Sequence, residues 1–305
     1  MSKLRKLTDK IKPAFEKGGK LSFLYSTFEA FESFLFVPNR VTRSGVHVRD
    51  SVDLKRVMTA VMIALVPTLL FGIYNIGYQH DLASNAGMEF WEMVWFGFLK
   101  ILPLYLVSYI VGLGIEFASA QLRGHEVNEG YLVTGMIIPL IVPITTPLWM
   151  LALAVAFAVI IGKEIFGGTG MNIWNPALVA RAFLFFAYPS HMSGDKVWVA
   201  GVDGFSGATP LAQTSEGLSS LHYSVSDMFF GFIPGSVGET STLAILLGAA
   251  FLIYTGIGSW KIMLSTVVGG LVMGFIANLA APSYDCAMAI PAWYHLIMGG
   301  FAFGA

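Results

Sequence analysis

The chain has 305 residues, 55% of them hydrophobic and 12% charged, with a formal net charge of −1. Soluble domains carry about 25% charged residues, so half that density over this length excludes an ordinary soluble domain and calls for an integral membrane protein. The apolar stretches run roughly 15–25 residues, which suits spanning helices and not the alternating strands of a barrel. The fold class read from this is an all-α polytopic membrane protein, a helical bundle.

In chain order, residues 1–20 are basic, with Lys3, Arg5, Lys6, Lys10, Lys12, Lys17 and Lys20. Leu24, Phe28, Phe31 and Leu35 then recur at helical spacing and predict an amphipathic helix lying on the membrane or under the bundle, ended by Pro38. Arg40, Arg43, Arg49, Lys55 and Arg56 follow. Residues 1–53 thus form a basic, amphipathic segment whose charge fixes the N-terminus on the cytoplasmic side. No apolar core with a cleavage site lies within it, so the N-terminus is expected to be retained.

The first span is predicted at Val57–Ile76. An outside loop at 77–92 carries Asp81, Glu89 and Glu92 and no Lys or Arg. The second span is Val94–Ala120, with Lys100 able to snorkel at its outer end, and Arg123 and His125 return inside. A third span, Tyr131–Ile144, meets a tight outer turn framed by Pro143 and Pro147. A fourth, Leu148–Phe166, has Lys163 at its inner end. After the break Gly167-Gly168-Thr169-Gly170, the apolar segment Pro176–Tyr188 reaches only roughly 20 Å, short of a hydrocarbon core of about 30 Å. It reads as a half-helix with Pro176 in its first turn, or as a tilted ordinary helix.

Residues 54–189 form a first transmembrane repeat. Residues 190–239 carry Asp195, Asp203, Glu216, Asp227 and Glu239 against a single cation, Lys196, and are expected to be a periplasmic loop. Further spans are predicted at Thr240–Thr255, Ile262–Ala281 and from Trp293 onward, with Lys261 inside. Glu126-Val127-Asn128-Glu129-Gly130 and Gly235-Ser236-Val237-Gly238-Glu239 lead into spans from opposite sides, which predicts inverted repeats. The second repeat, 240–305, is expected to be incomplete, because the chain stops at Gly304-Ala305 inside an apolar segment.

The periplasmic loop holds Asp203-Gly204-Phe205-Ser206-Gly207-Ala208-Thr209-Pro210-Leu211. A hydroxyl at Thr209 among Ser206, Gly207 and Ala208 resembles a covalent flavin attachment site, where small neighbours let a modifying enzyme close on the backbone. The plain alternative is a Ser/Gly surface turn. Glu116 is an acid inside a predicted span, which marks an ion or proton path, or an interfacial carboxylate if the span ends near Ala118. Gly112-Leu113-Gly114 just before it allows close helix contact. Gly168 and Thr169 belong to a break that lines a cavity or cradles a flavin edge with backbone N–H groups. Asn172, Asn175 and Arg181 would add polar contacts there. Trp174 and the phenylalanines near Arg181 read as packing. His47, His125 and His295 lack metal-ligand spacing, so no metal site is expected. The single cysteine, Cys286, excludes an intrachain disulfide and reads as packing. The basic N-terminus suits anionic lipid, and no nucleic-acid partner is expected.

Several stretches together resemble the B subunits of the sodium-translocating NADH:quinone oxidoreductases. They are His47–Arg56, His125–Gly130, Lys163–Gly170, Asn175–Leu178, Arg181–Pro189 and the Thr209 motif. The resemblance implies FMN joined through its phosphate to Thr209, riboflavin held non-covalently, and a ubiquinone site near the cytoplasmic side. It implies a six-subunit complex in the bacterial inner membrane, with electrons arriving from the flavin-bearing C subunit after NADH oxidation at the F subunit, and Na+ crossing the membrane. A flavin transferase would mature the chain. The resemblance links Glu116 to sodium uptake, and a paired glycine at Gly112 to quinone; here Leu113 stands at the second position and Gly114 follows one residue later. Members of this family run on through further helices beyond the length of this chain. Two other readings stay open. One is the related D subunit of the Rnf complex, which shares the flavin motif but should lack the basic N-terminal segment. The other is a flavin-free secondary transporter.

Overall fold

The computed structural model describes residues 3–16, 19, 21–36, 44–46, 52–123, 130–202, 207–216, 218–282 and 286–305. It is helical, with no strand among the described residues, the architecture of an all-α polytopic membrane protein. Helix α1 (Lys3–Ile11) leads through a 3-10 turn to α2 (Tyr25–Leu35). Lys12 Nζ donates to both Glu32 oxygens at 2.9 Å, and Phe15 stacks on Phe28 with centroids 4.7 Å apart. The expected apolar stripe is divided: Phe28 packs on Phe15, Phe31 meets Phe117 at 6.2 Å, and Leu35 stays exposed. Pro38, Arg40, Arg43, Arg49, Lys17 and Lys20 lie outside the described residues, as does the stretch 47–51.

The long helices are α3 (Leu54–Ser84) and α4 (Phe90–Arg123). Asp53 caps α3 by accepting from Arg56 N at 3.1 Å, and Asn85, in the left-handed region at φ 51°, ends it. The outside loop expected at 77–92 shrinks to residues 85–89. The polar residues near 76 do not end the helix, because they are held within the protein: Asn75 and Gln79 are buried, and Asn75 Nδ2 donates to Ile233 O at 2.9 Å. Helix α5 (Tyr131–Ile141) gives way to a non-helical stretch before α6 (Leu148–Ile160), which a 3-10 turn at Glu164–Phe166 extends. Then come α7 (Pro176–Ala187) and the one-turn α8 (Pro189–Met192) and α9 (Pro210–Gln213). They are followed by α10 (Val225–Phe230), α11 (Thr242–Tyr254), α12 (Trp260–Ala280) and the short α13 (Phe301–Gly304).

Among the described residues, four segments are long and apolar enough to cross a membrane: Leu54–Ser84, Phe90–Arg123, Leu148–Phe166 and Trp260–Ala280. Helices α5, α7 and α11 have 11, 12 and 13 residues. At 1.5 Å per residue they reach about 16–20 Å, less than a full hydrocarbon core. The core gathers where α4, α5, α6 and α7 meet, around Leu104, Tyr131, Ile138, Leu151, Val155 and Leu184. Ala154 and Ala158 are fully buried and let α6 lie close to its neighbours.

Two expectations are corrected. The last nine residues assigned to the periplasmic loop, 231–239, are packed into the bundle. Gly238 N donates to Leu140 O at 2.8 Å and Ser236 Oγ to Ile141 O at 3.3 Å. These bonds satisfy carbonyls that the last turn of α5 leaves without helical partners, so the end of α5 abuts the lead into α11. Second, no continuous span runs from Trp293. Pro291 and the Gly299-Gly300 pair break the apolar run into a 3-10 turn at Ala292–Leu296 and α13, folded against α12. There Phe301 lies over Gly270 and Ala292 over Gly274.

Candidate functional site

One face of α4 is buried along its length, through Gly97, Ile101, Leu104, Ser108, Gly112, Glu116 and Ala120. This spacing of three and four puts a carboxylate on the core side. Glu116 is ion-paired with Lys163, and their side chains are 4% and 3% exposed. The adjacent Glu164, also buried, accepts from Ser119 Oγ at 2.5 Å and lies 3.7 Å from the Arg123 guanidinium. Two acids and two cations therefore share the junction of α4 with the end of α6. Sequence reasoning found Glu116 and took Lys163 only as a topology marker. The available signal was that a buried charge needs a partner.

One turn from Glu116, Gly112 receives the ring of Tyr131: a Cβ there would lie 1.8 Å from Tyr131 Cζ. The Tyr131 hydroxyl donates to Ser108 O at 2.8 Å. Ser108 Oγ donates at 3.0 Å to Gly135 O, the carbonyl that Pro139 leaves without a helical N–H. Leu113 packs at the edge of the core, and Gly114 faces open space.

The break after α6 needs its glycines, with φ of +112°, +94° and +90° at Gly167, Gly168 and Gly170. Thr169 packs on Gly130 at the start of α5, and its Oγ1 is buried without a hydrogen-bond partner among the described residues. Asn172 is committed to the turn, accepting from Gly170 N at 3.2 Å and donating to Trp174 O at 2.8 Å. Asn175 caps α7, accepting from Ala177 N at 2.9 Å. Arg181 is ion-paired with Glu239, whose side chain is 10% exposed. Of the five residues expected to share a polar cavity, Asn172, Asn175 and Arg181 thus make local bonds, Gly168 shapes the turn, and Thr169 Oγ1 is left buried without a partner among the described residues. An apolar groove of about 710 Å³ between α6 and α7 has Asn175 from this set on its rim, with Phe157, Trp174, Phe183 and Phe186.

Asp203 and Ser206 lie outside the described residues, as do His125–Glu129. Gly207 is buried against Val199, and its N–H donates to Asp195 O at 2.7 Å. Ala208 O accepts from Gln213 Nε2 at 3.2 Å. Thr209, half-buried, is the N-cap of α9, where its Oγ1 accepts from Ala212 N at 3.2 Å. The surrounding loop is tied down at two points that sequence reasoning missed. Thr145 Oγ1 donates to Val197 O at 2.9 Å. The His80 ring, stacked on Phe96 at 4.1 Å, bonds Ala200 O at 2.8 Å. A cavity of about 390 Å³ opens beside Leu211, between α12 and the His295–Phe301 segment. Among the described residues no group of three His, Cys, Asp or Glu could hold a metal ion.

A family model described as the NQR2, RnfD, RnfE family matches residues 41–305. The chain belongs to that family. Curated relatives within the NQR2, RnfD, RnfE family are named as the B subunit of a Na(+)-translocating NADH-quinone reductase. That of Chromohalobacter salexigens is 45% identical over 99% of this chain and 79% of its own length. Those of Pseudoalteromonas atlantica and Azotobacter vinelandii are 44% and 43% identical, again over 99% of this chain and 81% of their own length. The resemblance read from the motifs is borne out. The likeness also takes in the basic N-terminal segment, which precedes the part matched by the NQR2, RnfD, RnfE family model.

Proposed function

We propose that this chain is the membrane-embedded B subunit of a Na+-translocating NADH:quinone oxidoreductase. It carries FMN esterified to Thr209, binds riboflavin, and delivers electrons to ubiquinone while Na+ crosses the membrane. The observation that carries this reading is 43–45% identity to subunits so named, over 99% of the chain and including the basic N-terminal segment. That segment favours the quinone reductase over the D subunit of an Rnf-type complex. The working complex would include the flavin-bearing C subunit and the NADH-oxidising F subunit, in a bacterial inner membrane, with the N-terminus of this chain in the cytoplasm.

Thr209 fits an ester to a flavin phosphate. Its oxygen serves α9 as an acceptor, a role that survives when the hydroxyl hydrogen is replaced. Gly207 and Ala208 leave the approach narrow-sided, and the cavity beside Leu211 offers an apolar wall within reach of the loop. Bound flavin supplies the redox chemistry, and the protein supplies position and electrostatics. Gly207, two residues before Thr209, is tied to Asp195 O at 2.7 Å, which gives a group bonded to Thr209 an anchored base. Riboflavin is assigned to the chain without a site, because Asn172, Asn175 and Arg181 are each committed elsewhere. To Glu116, buried beside Lys163, this reading gives the part of the acid that meets Na+ within the bundle, supported by its burial in an apolar helix.

Peptide mass spectrometry of the chain co-expressed with its flavin transferase tests the redox reading. An FMN-sized adduct on the Thr209 peptide, lost in Thr209→Ala, is expected. A bare peptide, with the transferase active on a control substrate, overturns it in favour of a flavin-free transporter.

A further inference from the structure

We propose that Lys163 is the resident cation of the Glu116 carboxylate, and that Na+ binds there only as Lys163 gives way. This rests on the Na+-pump reading above. Charge sets the first constraint. Among the described residues, Glu116 pairs with Lys163 and Glu164 with Arg123. Glu116 and Lys163 are both buried, so a Na+ brought to this carboxylate with the ammonium still on it would set two cations side by side in a low-dielectric interior. Some positive charge must leave as the ion arrives.

The cluster holds one cation placed to move and another placed to leave. Lys163 sits outside regular helix, at φ −131° and ψ −61°, between the end of α6 and the 3-10 turn Glu164–Phe166. Its ammonium rides on a flexible four-carbon stem. Arg123 is the loose member, 44% exposed and 3.7 Å from Glu164. Glu116, Ser119 and Arg123 follow one another at three and four residues along α4, so they line one stripe. Both acids are met from that stripe, Glu116 as part of it and Glu164 through Ser119 and Arg123. The exchange that adds no charge to the interior runs along it. Na+ enters at Glu116, the Lys163 ammonium moves to Glu164, and the Arg123 guanidinium turns out to water. Lys163 is then a positioning residue that sets the apparent Na+ affinity, and the neighbouring acid gives it somewhere to go.

The test uses the purified complex containing this chain. NADH:quinone reductase activity is titrated with NaCl at constant ionic strength, so that the apparent Na+ constant is read separately from kcat and from KM for NADH. Lys163→Gln removes the competitor and lowers the apparent Na+ constant at least about fivefold, with KM for NADH unchanged. Lys163→Arg, always charged and a planar fork for a carboxylate, raises it by a similar factor. A counter-ion with a purely structural role would alter assembly or kcat and leave the Na+ constant where it was. A wild-type Na+ constant in both assembled variants therefore overturns the proposal. If Lys163→Gln fails to assemble, Lys163→Arg decides alone by the same criterion. Glu116→Gln separates the two levels. A Na+ constant indifferent to Glu116→Gln removes this acid from the ion path and the inference with it. A wild-type complex with no Na+-stimulated activity overturns the pump reading itself.

Discussion

Gly112 and Gly114 lie two residues apart on α4 and meet opposite surroundings. Two residues turn a helix by about 200°, so one glycine faces the Tyr131 ring and the other faces outward. Gly112→Ala is expected to cost about 1–3 kcal/mol, because the ring or the helix must shift to admit a methyl group. Gly114→Ala is expected to be neutral or to stabilise by up to about 1 kcal/mol through helix propensity. Thermal unfolding of the purified protein in detergent, followed by tryptophan fluorescence, reads both; equal shifts would contradict this placement. In the sequence the two glycines form one motif, and nothing in their spacing says which carries the contact. Glu116 was legible, since an acid in an apolar run stands out. Its partner was not, because Lys163 is brought to it only by the packing of α6 on α4. Glu239 was misread for a related reason. An acid at the end of a polar stretch looks solvated until Gly238 and Ser236 are seen bonded to the end of α5.

The helices were legible by their apolar runs, short ones as well as long: α7 was expected at Pro176–Tyr188 and runs Pro176–Ala187. Helix α3 was cut short at Ile76 because its last turns are polar, although it continues to Ser84, and the run from Trp293 fails as a span because Gly299 and Gly300 interrupt it. What hydropathy does not reveal is how the short elements are joined. Helix α7 is tied to the lead of α11 by Arg181 and Glu239. A double-mutant cycle with Arg181→Met and Glu239→Gln is expected to give a coupling energy of about 1–3 kcal/mol. The value stays below that of a fully buried pair, because the Arg181 side chain is 36% exposed and its charge is partly screened. Each single variant should destabilise more than the pair changed together, since either alone strands a charge or its polar partner at a buried position. Additive effects in thermal unfolding would mean that α7 and α11 are held by packing alone.

Across the whole molecule, the arrangement of α3 to α7 decides on which side of the membrane Thr209 lies. Helices α3, α4 and the segment Leu148–Phe166 are long enough to cross, whereas α5 and α7 are short. If the short helices, each with its flanking non-helical stretch, complete a crossing, five passes separate the basic α1 from the loop before Thr209. The two then face opposite sides, and the cationic N-terminal end is expected in the cytoplasm. If one short helix instead turns back within the membrane, the count becomes even and both face the same side. Single cysteines at Lys10 and Ser193, both exposed, in a Cys286→Ser background distinguish these arrangements. A membrane-impermeant maleimide applied to intact spheroplasts is expected to label Ser193→Cys and to reach Lys10→Cys only after lysis. Labelling of both before lysis, or of neither, would make one of the short helices re-entrant and put Thr209 on the same side as α1. A flavin bonded there would then face the compartment of the basic N-terminus, and electron delivery to Thr209 would no longer require a path through the membrane.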